Sequence, residues 1–448
     1  MPYDPDIERA EPLFENEPSS TVNSTDPAAQ FGQPTPVPVP SPEAERELPR
    51  RRFAGPGWLE AIGWAALMLL LQLFVSVGFT AVAMLMSLSA GASPPVAPPP
   101  AVEAEAAPAE VAPAAPAASP APAEQMLQRI KPYMTRLMPW MFAAVGLMNC
   151  IYAHALGRFR LGSQEFHQLG WQCPTLQHLL LLLLMFIPLS IVCSSLQGWA
   201  IEFFPESGRD LAEMFGSIRH LPLPVLMLVL AVAPAVGEEL VFRGVIGRGL
   251  LARHGWFWGI VVTSVMFAGI HLSPAQVIGV LPLGIVIHLV YAATRSFWAP
   301  MLAHFLNNAL ASVMLKLSDP TAAESAEATG ETFDLRLIGL SALALVFLIS
   351  WLWTTRVRFV NAGGVAWNPA EADCGVPPHD SEFQREITPP QGWQVGGALG
   401  ALAALLWLGL QTNRSLPGRV RPRSTARGRS TPAIHRSASI PRHFVGDA

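Results

Sequence analysis

Nine apolar stretches dominate this chain and limit what it can fold into. They run roughly over Ala61–Leu88, Leu137–Leu156, Leu179–Ala200, Leu221–Leu251, Trp256–Leu272, Val277–Ala293, Phe297–Met314, Leu337–Trp353 and Gly396–Leu410. A helix that crosses a bilayer needs about 20 mostly apolar residues. Only 14% of the 448 residues are charged, whereas soluble globular proteins carry about 25%. A single soluble core is therefore excluded, and we predict an all-α, polytopic transmembrane helix bundle of about eight or nine helices.

Polar segments between these stretches divide the chain. Residues 1–55 are acidic and rich in Pro, Ser and Thr, so we expect a disordered arm. The predicted division is 1–55 (acidic N-terminal arm), 56–90 (first transmembrane helix), 91–124 (Ala/Pro-rich linker), 125–358 (membrane bundle), 359–392 (loop), 393–411 (candidate last transmembrane helix) and 412–448 (Arg-rich disordered tail). The 43 prolines suit such arms and linkers, because proline lacks the N–H that a helix interior needs.

Arginines follow alternate apolar stretches and predict the orientation of the chain. They are Arg158, Arg160, Arg248, Arg253, Arg295, Arg356 and Arg358, with Arg50, Arg51 and Arg52 before the first stretch. By the positive-inside rule these groups stay in the cytoplasm, and we expect an integral, multi-pass protein of a bacterial cytoplasmic membrane. Nine crossings would put the basic tail outside, against the same rule, so charge counting leaves open whether the last stretch crosses. The lipid bilayer is an expected partner, and nucleic acid is not.

Three charged residues interrupt the stretch Leu221–Leu251. Glu238 and Glu239 are consecutive, and Arg243 follows Glu239 by four positions. Residues spaced i, i+4 lie on one helix face, so Glu239 and Arg243 are predicted to form an ion pair. Glu238 is rotated by about 100° from Glu239 and remains available for another role. Charge inside the hydrocarbon is costly and usually marks a functional site.

The next stretch carries a histidine at a matching depth. Glu239 and His271 lie sixteen residues before and after Gly255, where the chain is expected to turn. In two antiparallel helices both side chains would be about 24 Å from that turn. Equal depth predicts that they share a site.

A second histidine and an amide follow. His304 and Asn308 share a helix face at i, i+4. If the helix after His271 began at once, His304 would miss the common depth by about 15 Å. We therefore predict that this helix begins late, near Leu283, after irregular backbone rich in Pro and Gly that lines a polar cavity.

These residue types suit the hydrolysis of a peptide bond. A carboxylate in an apolar site can accept a proton from water, a neutral histidine can orient that water, and a histidine with an amide can donate hydrogen bonds to an oxyanion. A zinc site of His271, His304 and Glu238 with one open position is an open alternative. Two other classes of function stay open: a transporter or proton relay that uses the Glu/Arg/His network, and a non-catalytic membrane scaffold.

The same residues resemble the CPBP family of intramembrane endopeptidases, which includes type II CAAX prenyl proteases and bacteriocin-processing and self-immunity proteins. The resemblance rests on EExxxR at 238–243, FxxxH at 267–271 and HxxxN at 304–308, in this order within apolar stretches. It covers roughly Leu179–Met314 and does not extend to the arms or the linker.

The resemblance implies a protease acting on a membrane-associated protein or peptide. The implied roles are activation of water by Glu238 with His271, stabilisation of the oxyanion by His304 and Asn308, and support of the site's shape by Glu239 and Arg243. Zinc is an implied but unproven cofactor, because family members are argued to work with a metal or by glutamate alone and this sequence has no HExxH motif. The substrate does not follow from the resemblance.

Overall fold

The computed structural model describes residues 55–90, 122–162, 165–317, 334–367, 375–377 and 381–415. The predicted acidic arm before residue 55, most of the linker and the tail after residue 415 lie outside these residues.

Ten helices and two short strands make up the described part of the chain. The helices are α1 (Trp58–Ser89), α2 (Pro122–Leu161), α3 (Glu165–Gln168), α4 (Leu176–Phe203), α5 (Pro205–Ile218), α6 (Leu223–Gly269), α7 (Pro274–Thr294), α8 (Trp298–Leu317), α9 (Leu335–Thr354) and α10 (Gly392–Ser415). The strands are β1 (Val357–Val360) and β2 (Gln384–Ile387). Every predicted apolar stretch is helical, which confirms the all-α, multi-pass fold class.

Seven of the described helices are long and apolar enough to cross a membrane. They are α1, α2, α4, α6, α7, α9 and α10. Helix α6 counts once, although its backbone leaves the helical region at Gly255 (φ 75°, ψ 177°), so it comprises the fourth and fifth predicted stretches. Helix α8 is outside this set because His304, Asn307 and Asn308 make it more polar.

Helix α6 contains two π-helical stretches. They cover Met227–Val232 and Leu240–Gly247, on either side of the α-helical turns Ala233–Glu239 that carry both glutamates. π-Helical turns are rare and are frequently found at functional sites. The helix is therefore irregular where its charged residues lie.

The predicted late start of α7 is wrong. The helix begins at Pro274, directly after the turn at Leu272–Ser273, and continues through Pro282. Proline suits the first turn of a helix, where its missing N–H would have no partner. Gly279 and Gly284 do not break the helix; they let neighbouring helices approach, as small residues do in membrane proteins. A Cβ added to Gly279 would lie 2.7 Å from Gln197 Cβ on α4.

The helices enclose two main apolar cores. One lies between α1, α2, α6 and α7 and includes Phe242, Phe267 and Tyr291. The other lies between α4, α7, α8, α9 and α10 and includes Met185 and Ile287. Helix α7 contacts both cores, so it fixes the position of α6 relative to α4.

Contacts at one end of the bundle bring the predicted cytoplasmic residues together. Glu60 at the start of α1 forms a 3.1 Å ion pair with Arg160 at the end of α2. Trp58 Nε1 donates to His254 Nδ1 at the bend of α6 (3.1 Å), and Trp256 packs against Trp353 of α9. The helix ends that carry arginine therefore lie on the same side, as the alternation in the sequence predicts.

Part of the segment assigned to a loop forms a β-hairpin. Strands β1 and β2 pair antiparallel, with Val357 opposite Ile387 and Phe359 opposite Arg385. Each strand has only four residues, which is too few for a clear alternation of apolar and polar positions. The strands therefore have no recognisable signature in the sequence.

Candidate active site

A fully buried ion pair lies at the centre of the site. Arg243 Nη1 donates to Glu239 Oε1 at 2.9 Å, and neither side chain is exposed. The other arm of the guanidinium, Nη2, donates to the carbonyl of Gly284 on α7 at 2.9 Å. The predicted i, i+4 pair is confirmed, and Arg243 also links α6 to α7.

His304 of α8 completes this network. Its Nδ1 lies 2.8 Å from Glu239 Oε1, so the carboxylate accepts hydrogen bonds from both His304 and Arg243. This contact assigns the N–H to Nδ1 and turns Nε2 towards Glu238, whose Oε2 is 4.0 Å away. The motifs at 238–243 and 304–308 thus meet in space through direct contacts.

The ring of Phe267 lies between the charged network and the first histidine. The Arg243 guanidinium stands 4.2 Å from the ring centroid. The rings of His271 and His304 each contact Phe267 edge-on, at 5.7 Å and 5.6 Å between centroids. Both histidines therefore lie next to the same aromatic ring, although helix α7 begins directly after the turn that follows His271.

Glu238, His271 and Asn308 face a cavity of about 570 Å³. This volume is typical of pockets for small ligands. Glu238 retains 8% of its exposure, whereas Glu239 retains none. Asn308 Nδ2 donates to the carbonyl of Leu230 at 2.9 Å, which fixes the amide at the cavity wall. The two adjacent glutamates thus have different surroundings: one belongs to the cavity and the other to the ion-paired interior.

Among the residues that the structure describes, the arrangement of the side chains does not favour a metal site. Zinc needs at least three donors about 2.0–2.2 Å from one point. Within the described ranges, no group of three His, Cys, Asp or Glu side chains could hold a metal ion. His304 Nδ1 is bonded to Glu239, and His271 Nδ1 lies 3.3 Å from the carbonyl of Phe267. Both Nδ1 atoms therefore already have partners, and zinc bound by His271, His304 and Glu238 stays an untested alternative.

Sequence reasoning missed the carboxamides and carbonyls that surround the glutamates. Gln72 Nε2 of α1 donates to Asn149 Oδ1 of α2 at 3.2 Å, and both residues line the cavity. Asn307, next to Asn308, also lines it. The available signal was their polarity within apolar stretches, which is the same signal that identified Glu238.

The part of the chain that contains the three motifs is similar to known proteins. Residues 220–310 match the family described as "Type II CAAX prenyl endopeptidase Rce1-like". This range includes all three motifs. A protein of Bacillus subtilis (strain 168) described as "Putative membrane peptidase YdiL" is 25% identical over 92 residues, which cover 20% of this chain and 38% of that protein. No solved structure gives a significant match.

Proposed function

We propose, from the match of residues 220–310 to the Rce1-like type II CAAX prenyl endopeptidases, that this integral multi-pass membrane protein hydrolyses a peptide bond within the bilayer. The observation that carries the proposal is the position of Glu238. Its carboxylate borders a cavity between apolar helices, while its neighbour Glu239 is held by Arg243 and His304. The substrate would be a membrane-associated protein or peptide.

Glu238 would act as the general base. A water molecule in the cavity donates a hydrogen bond to the carboxylate and attacks the carbonyl carbon of the substrate peptide as its proton passes to Glu238. The proton then moves from Glu238 to the leaving nitrogen, the C–N bond breaks, and the carboxylate is restored. One water is consumed, and a carboxylic acid and an amine are released.

His304 would hold the Glu238 carboxylate in place. Its Nε2 lies 4.0 Å from Glu238 Oε2, an oxygen that is fully buried, so the other oxygen of Glu238 is the one that faces the water in the cavity. Glu239 fixes the imidazole by accepting from Nδ1, and Arg243 fixes Glu239. Glu239 and Arg243 are positioning residues in this scheme, because they act through His304.

His271 and Asn308 would face the substrate. Both line the cavity, whereas His304 is only 3% exposed and is not among its lining residues. Asn308 uses one N–H on Leu230 and has a second to donate. Hydrogen bonds from such donors stabilise the oxyanion that forms in the transition state. This geometry favours Asn308 as the donor to the oxyanion. His271 Nδ1 faces the carbonyl of Phe267, which only accepts, so His271 Nε2 is an acceptor that can bind the attacking water. His304 is then the partner of Glu238.

The test uses the purified full chain in detergent micelles or proteoliposomes. The probes are two internally quenched peptides that end in a CAAX sequence, one farnesylated at the cysteine and one not. We expect Glu238→Gln to lower kcat/KM by about 10²- to 10⁴-fold, the usual contribution of a general base. Glu206→Gln on α5 is the matched control, because its side chain is 86% exposed.

Cleavage by Glu238→Gln at more than a tenth of the wild-type rate would refute the assignment of the base. The difference between the two peptides decides whether a prenyl group is recognised. The same proteoliposomes, loaded with a pH-sensitive dye, test the proton-relay alternative, which predicts proton flux that Glu238→Gln abolishes.

A further inference from the structure

Six carboxamide side chains line the cavity that Glu238 borders. They are Gln72, Asn149, Gln197, Gln276, Asn307 and Asn308. A carboxamide is neutral and offers both a donor and an acceptor. Such a concentration between transmembrane helices is unusual, because polar groups there need partners to offset their desolvation. The lining therefore indicates a ligand that itself presents neutral donors and acceptors.

Some of these groups are already committed within the protein. Asn307 Nδ2 donates to Asn308 Oδ1 at 3.2 Å, and Asn308 Nδ2 donates to Leu230 O. In the Gln72–Asn149 pair one bond, from Gln72 Nε2 to Asn149 Oδ1, joins the two side chains. Within the described residues, neither Gln72 Oε1 nor Asn149 Nδ2 has a hydrogen-bond partner. Neither atom is fully buried. The pair thus presents one acceptor and one donor to the cavity.

The pair is held in a fixed place relative to the proposed base. The backbone of Asn149 packs on Gly237, where an added Cβ would lie 3.2 Å from Asn149 C and Cβ. Gly237 directly precedes Glu238. Asn149 itself is 3% exposed, so its side chain has little freedom to move. A ligand bound by the pair would lie beside Glu238.

The charge of the lining indicates which ligand this is. No Arg or Lys is among the residues that line the described cavity, so an anionic headgroup would find no cation there. An extended peptide, in contrast, has alternating N–H and C=O groups that lack partners once its helix is unwound. In the hydrocarbon unpaired backbone groups have no water to bond to, so an unwound peptide needs such donors and acceptors.

We infer that the Gln72–Asn149 pair is a substrate subsite, which binds the main-chain N–H and C=O of an extended peptide segment next to Glu238. The inference rests on the proposed function and deepens it. Gln72 belongs to α1 and Asn149 to α2, both outside the matched residues 220–310. Helix α1 is thus part of the substrate site, and the family core alone does not complete it.

The experiment combines variants of the protein with changes in the peptide backbone. The full chain in detergent receives the quenched CAAX peptide and a series in which one backbone amide at a time is N-methylated. Gln72→Met keeps the size of the side chain and removes its acceptor. We expect KM to rise about 3- to 10-fold with little change in kcat, the value of one or two neutral hydrogen bonds.

The decisive readout is the coupling between the two changes. In the wild type, methylation of the amide that binds Gln72 Oε1 lowers kcat/KM about 3- to 10-fold, and in Gln72→Met the same methylation has no further effect. A merely structural role of Gln72 would not produce this coupling. Ser76→Ala, one turn along α1 and outside the cavity lining, is the matched control. Asn149→Leu tests the donor of the pair with peptides in which an ester replaces the acceptor amide.

If Glu238→Gln abolishes cleavage, but KM is unchanged in Gln72→Met and methylation has equal effects in wild type and Gln72→Met, the inference is overturned and the proposed function stands. Equal rates for wild type and Glu238→Gln would instead refute the proposed function. In that case fluorescence anisotropy of the labelled peptide measures binding directly, and equal affinities of wild type and Gln72→Met overturn the subsite.

Discussion

Arg243 offers the sharpest test of how the site is held together. The side chain is fully buried and makes three contacts: a 2.9 Å bond to Glu239, a 2.9 Å bond to the carbonyl of Gly284, and a 4.2 Å contact over the ring of Phe267. Arg243→Leu removes all three and leaves the Glu239 carboxylate buried with His304 as its remaining partner. The change is therefore expected to lower both stability and activity.

The magnitude follows from the contacts. Each hydrogen bond from a charged donor contributes about 1.5–3 kcal/mol, and the cation–π contact about 0.5–2 kcal/mol. Leucine recovers part of this by avoiding the desolvation of a guanidinium. The net loss agrees with the ~3–5 kcal/mol measured when one partner of a buried ion pair is removed. Arg243→Lys keeps the charge but cannot bond to two acceptors in the same fork, so about 1–2 kcal/mol of destabilisation is expected.

The assay is thermal unfolding in detergent, followed by the reaction of a fluorogenic maleimide with Cys193, which is buried in the folded protein. All variants are made in a Cys150→Ala, Cys173→Ala and Cys374→Ala background, because Cys173 is exposed and would react before unfolding. Arg209→Leu is the matched control, because the Arg209–Glu206 pair is exposed and such pairs contribute ~0–1 kcal/mol. We expect a lower Tm for Arg243→Leu than for the control, with kcat/KM reduced in parallel. A Tm for Arg243→Leu equal to that of Arg209→Leu would show that the pair does not hold the site.

Three further predictions follow from the structure. Gly279→Ala should destabilise the protein by ~1–3 kcal/mol, since the added Cβ would lie 2.7 Å from Gln197 Cβ. Gly269→Ala is the control and should not lower the stability, because no atom lies within 4 Å of the added Cβ. Equal Tm values for the two variants would contradict the close approach of α4 and α7. Incubation with 1,10-phenanthroline should leave kcat/KM unchanged, because the described donors do not converge on one point; loss of activity that zinc restores would establish the zinc site instead. An impermeant maleimide applied to intact cells should label Ser424→Cys, made in a Cys374→Ala background, but should not label the exposed Cys173. The reason is that α10 starts at the end of the bundle that carries the arginines, so a crossing by α10 would put residue 424 on the opposite side from Cys173. Labelling of neither cysteine, or of both, would argue against that crossing.

The features of this structure that the sequence predicts well are those that depend on local patterns of residues. The Glu239–Arg243 pair follows from a spacing of four residues within one helix, which needs no knowledge of any other helix. The apolar stretches likewise reflect the local requirement for lipid-compatible residues. Both depend on neighbours in the chain, so a sequence contains what is needed to identify them.

Contacts between helices were harder to predict, because helix tilt and rotation depend on packing. The prolines and glycines that precede Leu283 predict irregular backbone, yet the helix is continuous, and Gly279 allows the close approach of α4. The same residue types break helices in water and pack them in membranes, so composition alone does not separate the two. The Gln72–Asn149 pair joins residues 77 positions apart and has no local signature.

The two glutamates show how a small local rule gives adjacent residues different surroundings. Consecutive residues on a helix point about 100° apart, so Glu238 and Glu239 cannot share one environment. Arg243 and His304 bind Glu239 and remove it from the cavity, which leaves Glu238 as the carboxylate that water and substrate can reach. If the identity of the base depends on this rotation, Glu238→Gln, which leaves a carboxylate only at position 239, should abolish cleavage. Glu239→Gln should instead retain a measurable fraction of it with a weakened hold on His304. Equal losses in the two variants, with equal Tm values, would contradict this division of roles.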